Sequence, residues 1–67
     1  MKKTFTVAIV KDENWYVAKC IENNVASQGM SIDDAIDNLR EALELYYENE
    51  QLPDFIQTYV TTLEVAI

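Results

Sequence analysis

Ser31-Ile32-Asp33-Asp34-Ala35-Ile36-Asp37-Asn38-Leu39-Arg40-Glu41-Ala42-Leu43-Glu44-Leu45-Tyr46 is the stretch that decides the fold. Ser31 with Asp34 three residues on resembles a capping box in which Asp replaces the usual Glu, and Asp33 and Asp34 sit where the positive end of a helix favours carboxylates. From there Ile32, Ala35, Ile36, Leu39, Ala42, Leu43 and Tyr46 recur at helical spacing and form one apolar stripe. Asp33, Asp37, Arg40, Glu41, Glu44 and Glu48 occupy the remaining positions. Pro53 disfavours a helical Leu52, so the helix is expected to end near Glu48 to Asn49, with a connection through Glu50 to Asp54. A helix with one apolar stripe needs an apolar partner surface, and the flanking sequence has the period of strands.

Upstream, Phe5, Val7 and Ile9 alternate with Thr6, Ala8 and Val10 in a β-branched run from Thr4 to Lys11. Asp12-Glu13-Asn14 supplies a turn, and Trp15 to Glu22 is expected to return as the second strand of a hairpin. Its core-facing parity is open, since Val17 and Ile21 share one face with Lys19 while Tyr16, Ala18 and Cys20 share the other. Asn23-Asn24 is a second turn signal, and Val25 to Gln28 forms a short third strand before Gly29. Downstream, Thr61, Leu63, Val65 and Ile67 alternate with Thr62, Glu64 and Ala66 in a final strand from Tyr59 to Ile67, which Phe55 to Thr58 either extend or precede as a separate turn. The expectation is an α+β domain: a three-stranded antiparallel meander, one amphipathic helix packed on one face, and a last strand. The opposite sheet face has no second helix to cover it, which predicts a subunit contact and a homodimer or tetramer.

Sixty-seven residues allow one domain, here taken as residues 1–67. With 49% apolar residues, one Gly and one Pro, the chain is too apolar and too poor in breakers for a disordered tail. Cys20 is the only cysteine and there is no histidine, so neither an intramolecular disulfide nor a structural zinc site is expected, nor any other cofactor. Self-association is then the remaining staple for so small a core. Lys2-Lys3 runs directly into an alternating stretch rather than a continuous apolar one, and no run approaches a membrane span, which predicts a cytoplasmic protein without membrane contact. Twelve acids against five bases leave a net charge of -7, which argues against direct nucleic-acid binding. The charge suits either a basic partner or plain solubility.

Phe5-Thr6-Val7-Ala8-Ile9, Trp15-Tyr16-Val17-Ala18-Lys19-Cys20, Ser27-Gln28-Gly29 and the helix Asp34 to Tyr46 together resemble the HicB family of antitoxins over nearly the whole chain. The most specific part is Ser-Gln-Gly followed by a helix with the pattern Ala-x-x-Asn-x-x-Glu-Ala, and Pro53 before a last strand is also similar. The resemblance implies a partial RNase H-like fold, β-β-β-α-β, with the last strand parallel to the first. A helical crossover is what such a parallel return requires. It also implies a role, the neutralisation of a HicA-like toxin, a small basic mRNA-cleaving ribonuclease, by direct binding. Two departures stand out. The expected last strand runs to Ile67, so a C-terminal DNA-binding segment of the kind many HicB-like proteins have is not expected, nor operator binding through one. The loop Ile21-Glu22-Asn23-Asn24-Val25 is shorter than the family's Pro-containing loop, so a grip on a toxin made through that loop would differ.

No enzyme is expected. An RNase H-like nuclease needs carboxylates converging on metal ions from the first strand, the helix and a later strand. Here the first strand has no acid between Thr4 and Val10, Asp12 and Glu13 lie in the turn beyond it, and Glu64 stands alone on its strand. Cys20 has no histidine to activate it and is expected to be a small core residue. The candidate partner-binding residues are Trp15 and Tyr47, as aromatic contacts, and the acidic helix positions Asp37, Glu41, Glu44 and Glu48, which are either a solvated face or an interface. A HicB-like self-assembling structural or regulatory module without a toxin is the alternative function.

Overall fold

The computed structural model describes residues 3–48 and 57–67. Its sheet is a meander of β1 (Val7–Asp12), β2 (Trp15–Cys20) and β3 (Ala26–Gly29), in the spatial order β1-β2-β3 with both neighbours antiparallel, followed by the helix α1 (Ile32–Tyr46). The α+β class and the three expected strands are therefore present, as is the single amphipathic helix. No helix among the described residues is long and apolar enough to cross a membrane.

Glu13-Asn14 alone joins β1 to β2, with Asp12 paired to Trp15 across the turn. Two-residue hairpin loops require left-handed backbone, and Glu13 supplies it at φ 57°, a conformation that costs a side chain with a long Cβ substituent. The β2–β3 turn places the same demand on Asn24, at φ 64°, where Asn is tolerated better. Asn23 completes that turn by accepting the Val25 N–H through Oδ1 at 3.0 Å, the Asx geometry its position in the sequence suggests.

The register settles which face of each strand meets the helix. Ala18 and Cys20 are fully buried, and their partners across β1 are Ile9 and Val7. Side chains opposite one another in a ladder share a face. The helix side of the sheet therefore carries Val7, Ile9 and Lys11 from β1, Tyr16, Ala18 and Cys20 from β2, and Ser27 and Gly29 from β3. The far side carries Ala8, Val10, Trp15, Val17, Lys19, Ala26 and Gln28, with no layer of described residues over it.

Ser31 caps α1, its hydroxyl accepting the Asp34 N–H at 3.1 Å, as the sequence predicts. Ala35, Leu39 and Leu43 are the buried row, with Ala18 and Cys20 beneath them. The helix lies over β2 and β3 and leaves β1 beside it. At its start the approach to the sheet is very close. A Cβ built on Gly29 would lie 2.6 Å from the Ala35 backbone nitrogen and 2.7 Å from the Asp34 Cβ. Three residues after Ala35 in the same contact, Asn38 Nδ2 donates to the Gln28 carbonyl at 2.8 Å. The Ser-Gln-Gly and Ala-x-x-Asn patterns thus have a packing purpose: they seat the first turns of the helix directly on β3.

One expectation needs correction. Tyr46, assigned to the apolar stripe, is 56% exposed, and Ile32 at the other end is also exposed. A row of residues four apart advances about 40° around the helix at each step. The buried row Ala35, Leu39, Leu43 therefore runs on to Tyr47, which is half-buried against the core, and not to Tyr46. The expected final strand from Tyr59 to Ile67 pairs with no strand of the sheet, and almost all of residues 57–67 are exposed. Because the helix sits over β2 and β3, the ground beyond β1 has no covering layer of described residues, and a segment placed there within one chain gains little burial. Phe55 and Ile56, the expected extension of that strand, lie outside the described residues, as do Pro53 and the expected connection.

Replacing Gly29 by Ala tests the strand–helix contact. Backbone atoms cannot yield as a flexible side-chain tip would, so Gly29→Ala is expected to destabilise the fold by about 1–3 kcal/mol. The urea midpoint measures it, and a midpoint unchanged from the parent would refute the close seating.

Candidate functional site

The acidic positions come together as the helix period requires. Asp37, Glu41 and Glu44 are exposed and lie at spacings of four and three, so they form one row on the side of the helix away from the buried Ala35, Leu39 and Leu43, while Glu48, also exposed, lies in the turn just beyond the helix end. Asp33 and Asp34 add carboxylates at the N-terminal end. The helix offers little to offset them. Arg40 Nη1 reaches Asp37 Oδ1 at 3.1 Å, an exposed i,i+3 pair, and the last turn of the helix contains no basic residue. Four of these carboxylates within three turns repel one another and give that face a field that attracts cations.

Trp15 lies elsewhere. It opens β2 on the sheet face turned away from the helix, 45% exposed, beside the β1–β2 hairpin. Val10, 62% exposed, and Val17 share that face. The candidate residues therefore divide between two opposite surfaces: a charged one on the outer helix face and an apolar one under the sheet.

Tyr47 belongs to neither surface. Its ring stacks on Phe5, with centroids 5.9 Å apart, and meets Tyr46 edge-on at 4.8 Å. Its hydroxyl accepts a hydrogen bond from Asn23 Nδ2 at 2.9 Å. The residue closes the far end of the molecule by tying the helix C-terminus to the β2–β3 turn and to the approach to β1. Sequence spacing could not reveal this, because the two residues lie 24 positions apart and neither belongs to a local motif.

Near that end a second polar cluster ties the sheet together. Glu22 Oε1 accepts the Thr6 backbone N–H at 2.8 Å and faces Cys20 Sγ at 3.5 Å. Partial burial pushes the Glu22 carboxyl up, but the hydrogen bonds from Thr6 outweigh it and hold its pKa at about 2. Burial pushes the Cys20 thiol above its ordinary value of 9.0, the Glu22 carboxylate adding to the effect. A fully buried thiol with a raised pKa is a poor nucleophile. Among the described residues no group of three His, Cys, Asp or Glu side chains is placed to hold a metal ion.

Two outcomes follow from this cluster. Glu22 has a lower pKa folded than unfolded, so its contribution to stability is complete above about 4.5 and disappears as the pH falls through about 2. Acid titration of the unfolding midpoint is expected to show this loss, and Glu22→Gln to flatten it. An equally steep fall in the variant would show that other groups cause it. Cys20 is expected to react with iodoacetamide only on unfolding, and rapid labelling of the folded chain would contradict its burial. Comparison with protein-family models, with curated proteins and with solved structures finds no match to this chain.

Proposed function

We propose that this chain is a HicB-like antitoxin that neutralises a small basic ribonuclease by binding it directly, and that the outer face of α1 is the surface that meets it. The observation that carries this reading is the row Asp37, Glu41 and Glu44, exposed along one helix face with Arg40 as the near cation and Glu48 exposed in the turn that follows. A ribonuclease that grips RNA phosphates needs a basic surface. A rigid line of carboxylates at helical spacing competes for that surface and speeds encounter by long-range attraction. The protein's charge of -7 acts in the same direction.

The same reading includes a non-catalytic RNase H-like frame, in which residues 59–67 take a place parallel to β1 to complete β-β-β-α-β. In this reading the chain binds and does not cut, and it acts in the cytoplasm. The apolar sheet face with Trp15, Val10 and Val17 suits contact between copies, and the acidic helix face remains outward in such an assembly.

The test is inhibition of a HicA-like ribonuclease encoded as a short basic open reading frame beside this gene. The purified chain is expected to suppress its RNA cleavage stoichiometrically. Reversing Glu41 and Glu44 to Lys is expected to weaken binding about tenfold to a hundredfold at low salt, while the circular dichroism spectrum is unchanged. Binding that survives both reversals at low salt would make the helix face a solvated surface and remove it as the interface.

A further inference from the structure

We propose that residues 59–67 form an exchanged arm: in solution each copy adds this segment as a strand to the free edge of β1 in a second copy, reciprocally, giving a closed dimer. The inference rests on the fold reading above in one respect, that the place beside β1 belongs to this segment, and goes beyond it in assigning that place to the partner's segment.

The acceptor is the outer edge of β1. β2 pairs with one side of the strand only, so the N–H and C=O groups along the other side of Val7–Asp12 face outward without a neighbouring strand in the sheet. Such an edge is a template for another strand. It is also apolar on both faces. Val7 and Ile9 lie on the helix side and are more than a third exposed because the helix stands over β2 and β3, while Val10 on the far side is 62% exposed. Lys11, close to the Tyr16 ring at 5.8 Å, marks the hairpin end of the edge with a charge.

The donor has matching chemistry. Leu63, Val65 and Ile67 fall on one parity of an extended segment, with Val60, Thr62 and Ala66 on the other. A strand beside β1 would therefore set leucine, valine and isoleucine against one face of the edge, and a mixed row of Val60, Thr62, Glu64 and Ala66 on the other. In the single chain this segment is off the sheet. Tyr59 is 82% exposed, Leu63 85% and Val65 65%. These are values for side chains standing in water that a neighbouring strand and layer would bury. The molecule is correspondingly spread. Its radius of gyration is 13.7 Å, whereas a compact chain of this length has about 11 Å.

A projecting apolar strand and an unpaired apolar edge on one molecule cannot both stay solvated without inviting association. A second copy removes both at once, because each copy contributes one donor and one acceptor. A reciprocal exchange about a twofold axis closes, whereas one-way donation would propagate into a filament. The dimer also offers what the lone chain lacks beyond β1, the body of a second copy against which the added strand can bury its outer face.

Isotope-filtered nuclear Overhauser spectroscopy on a 1:1 mixture of labelled and unlabelled full-length chain, refolded together, decides the matter. Contacts between residues 61–67 and Val7–Lys11 are expected between copies. The same contacts found only within a copy would overturn the exchange and leave the parallel final strand intact. No contact between the two segments would overturn both. In parallel, light scattering is expected to give a dimer mass that falls to the monomer for Leu63→Pro or for Glu64→Pro: neighbouring N–H groups point to opposite sides of a strand, so one of the two prolines removes a ladder hydrogen bond to β1 and weakens the dimer about a hundredfold or more. These positions touch no described core residue, so the sheet and helix should remain folded by circular dichroism. A dimer mass that both variants retain would overturn the arm as its cause.

Discussion

The architecture depends on how closely the first turns of α1 approach β3. Gly29 has no side chain, and the Ala35 nitrogen and Asp34 occupy the space where a Cβ would be. Ala35 presents the smallest side chain of the buried row at the same place, and Asn38 satisfies the Gln28 carbonyl that the approach would otherwise crowd. Close contact of backbone with backbone leaves little freedom of crossing angle, so the helix direction is set within its first two turns. The other end is then held by Tyr47, whose stack on Phe5 and bond from Asn23 complete what Gly29 begins.

Once the helix is seated over β3 and β2, the remaining surfaces follow. The apolar row Ala35, Leu39, Leu43 closes on Ala18 and Cys20, and the acidic row is turned outward because it lies on the opposite side of the same cylinder. β1 is left at the margin, with its helix-side valine and isoleucine only half covered. A covered strand pair, an uncovered edge and an outward charged face are thus three consequences of one contact. The proposed toxin surface and the proposed exchange surface are separate for this reason, so one molecule can use both.

The core formed in this way is small, and its largest fully buried side chains are Leu39 and Cys20. Such a core offsets little of the conformational entropy lost on folding. The polar ties between segments distant in sequence therefore matter more here than in a larger domain. Glu22 bridges β1 and β2 through the Thr6 N–H, and its depressed pKa measures how well that carboxylate is satisfied as an anion. The apolar side chains of residues 59–67 stay exposed in the single chain, and the proposed exchange would add their burial to this core.

The strands, the capped helix and their order were determined by the sequence alone, since period-2 alternation, the Asn23-Asn24 turn and the Ser31 cap act within a few residues of one another. The acidic row was legible for the same reason, as i,i+3 and i,i+4 spacing places charges on one face whatever the helix packs against. Other features required the tertiary structure. The parity of β2 was ambiguous because Val17 and Ile21 are as apolar as Ala18 and Cys20, and only the size of the gap under the helix selects the smaller pair. Tyr47 rather than Tyr46 completes the buried row because the row drifts around the helix, and the partners that receive it, Phe5 and Asn23, are remote in sequence. The last segment shows the limit most clearly. Alternation makes Tyr59 to Ile67 competent to be a strand, but pairing depends on a neighbouring edge and a covering layer, and those are properties of the assembled molecule.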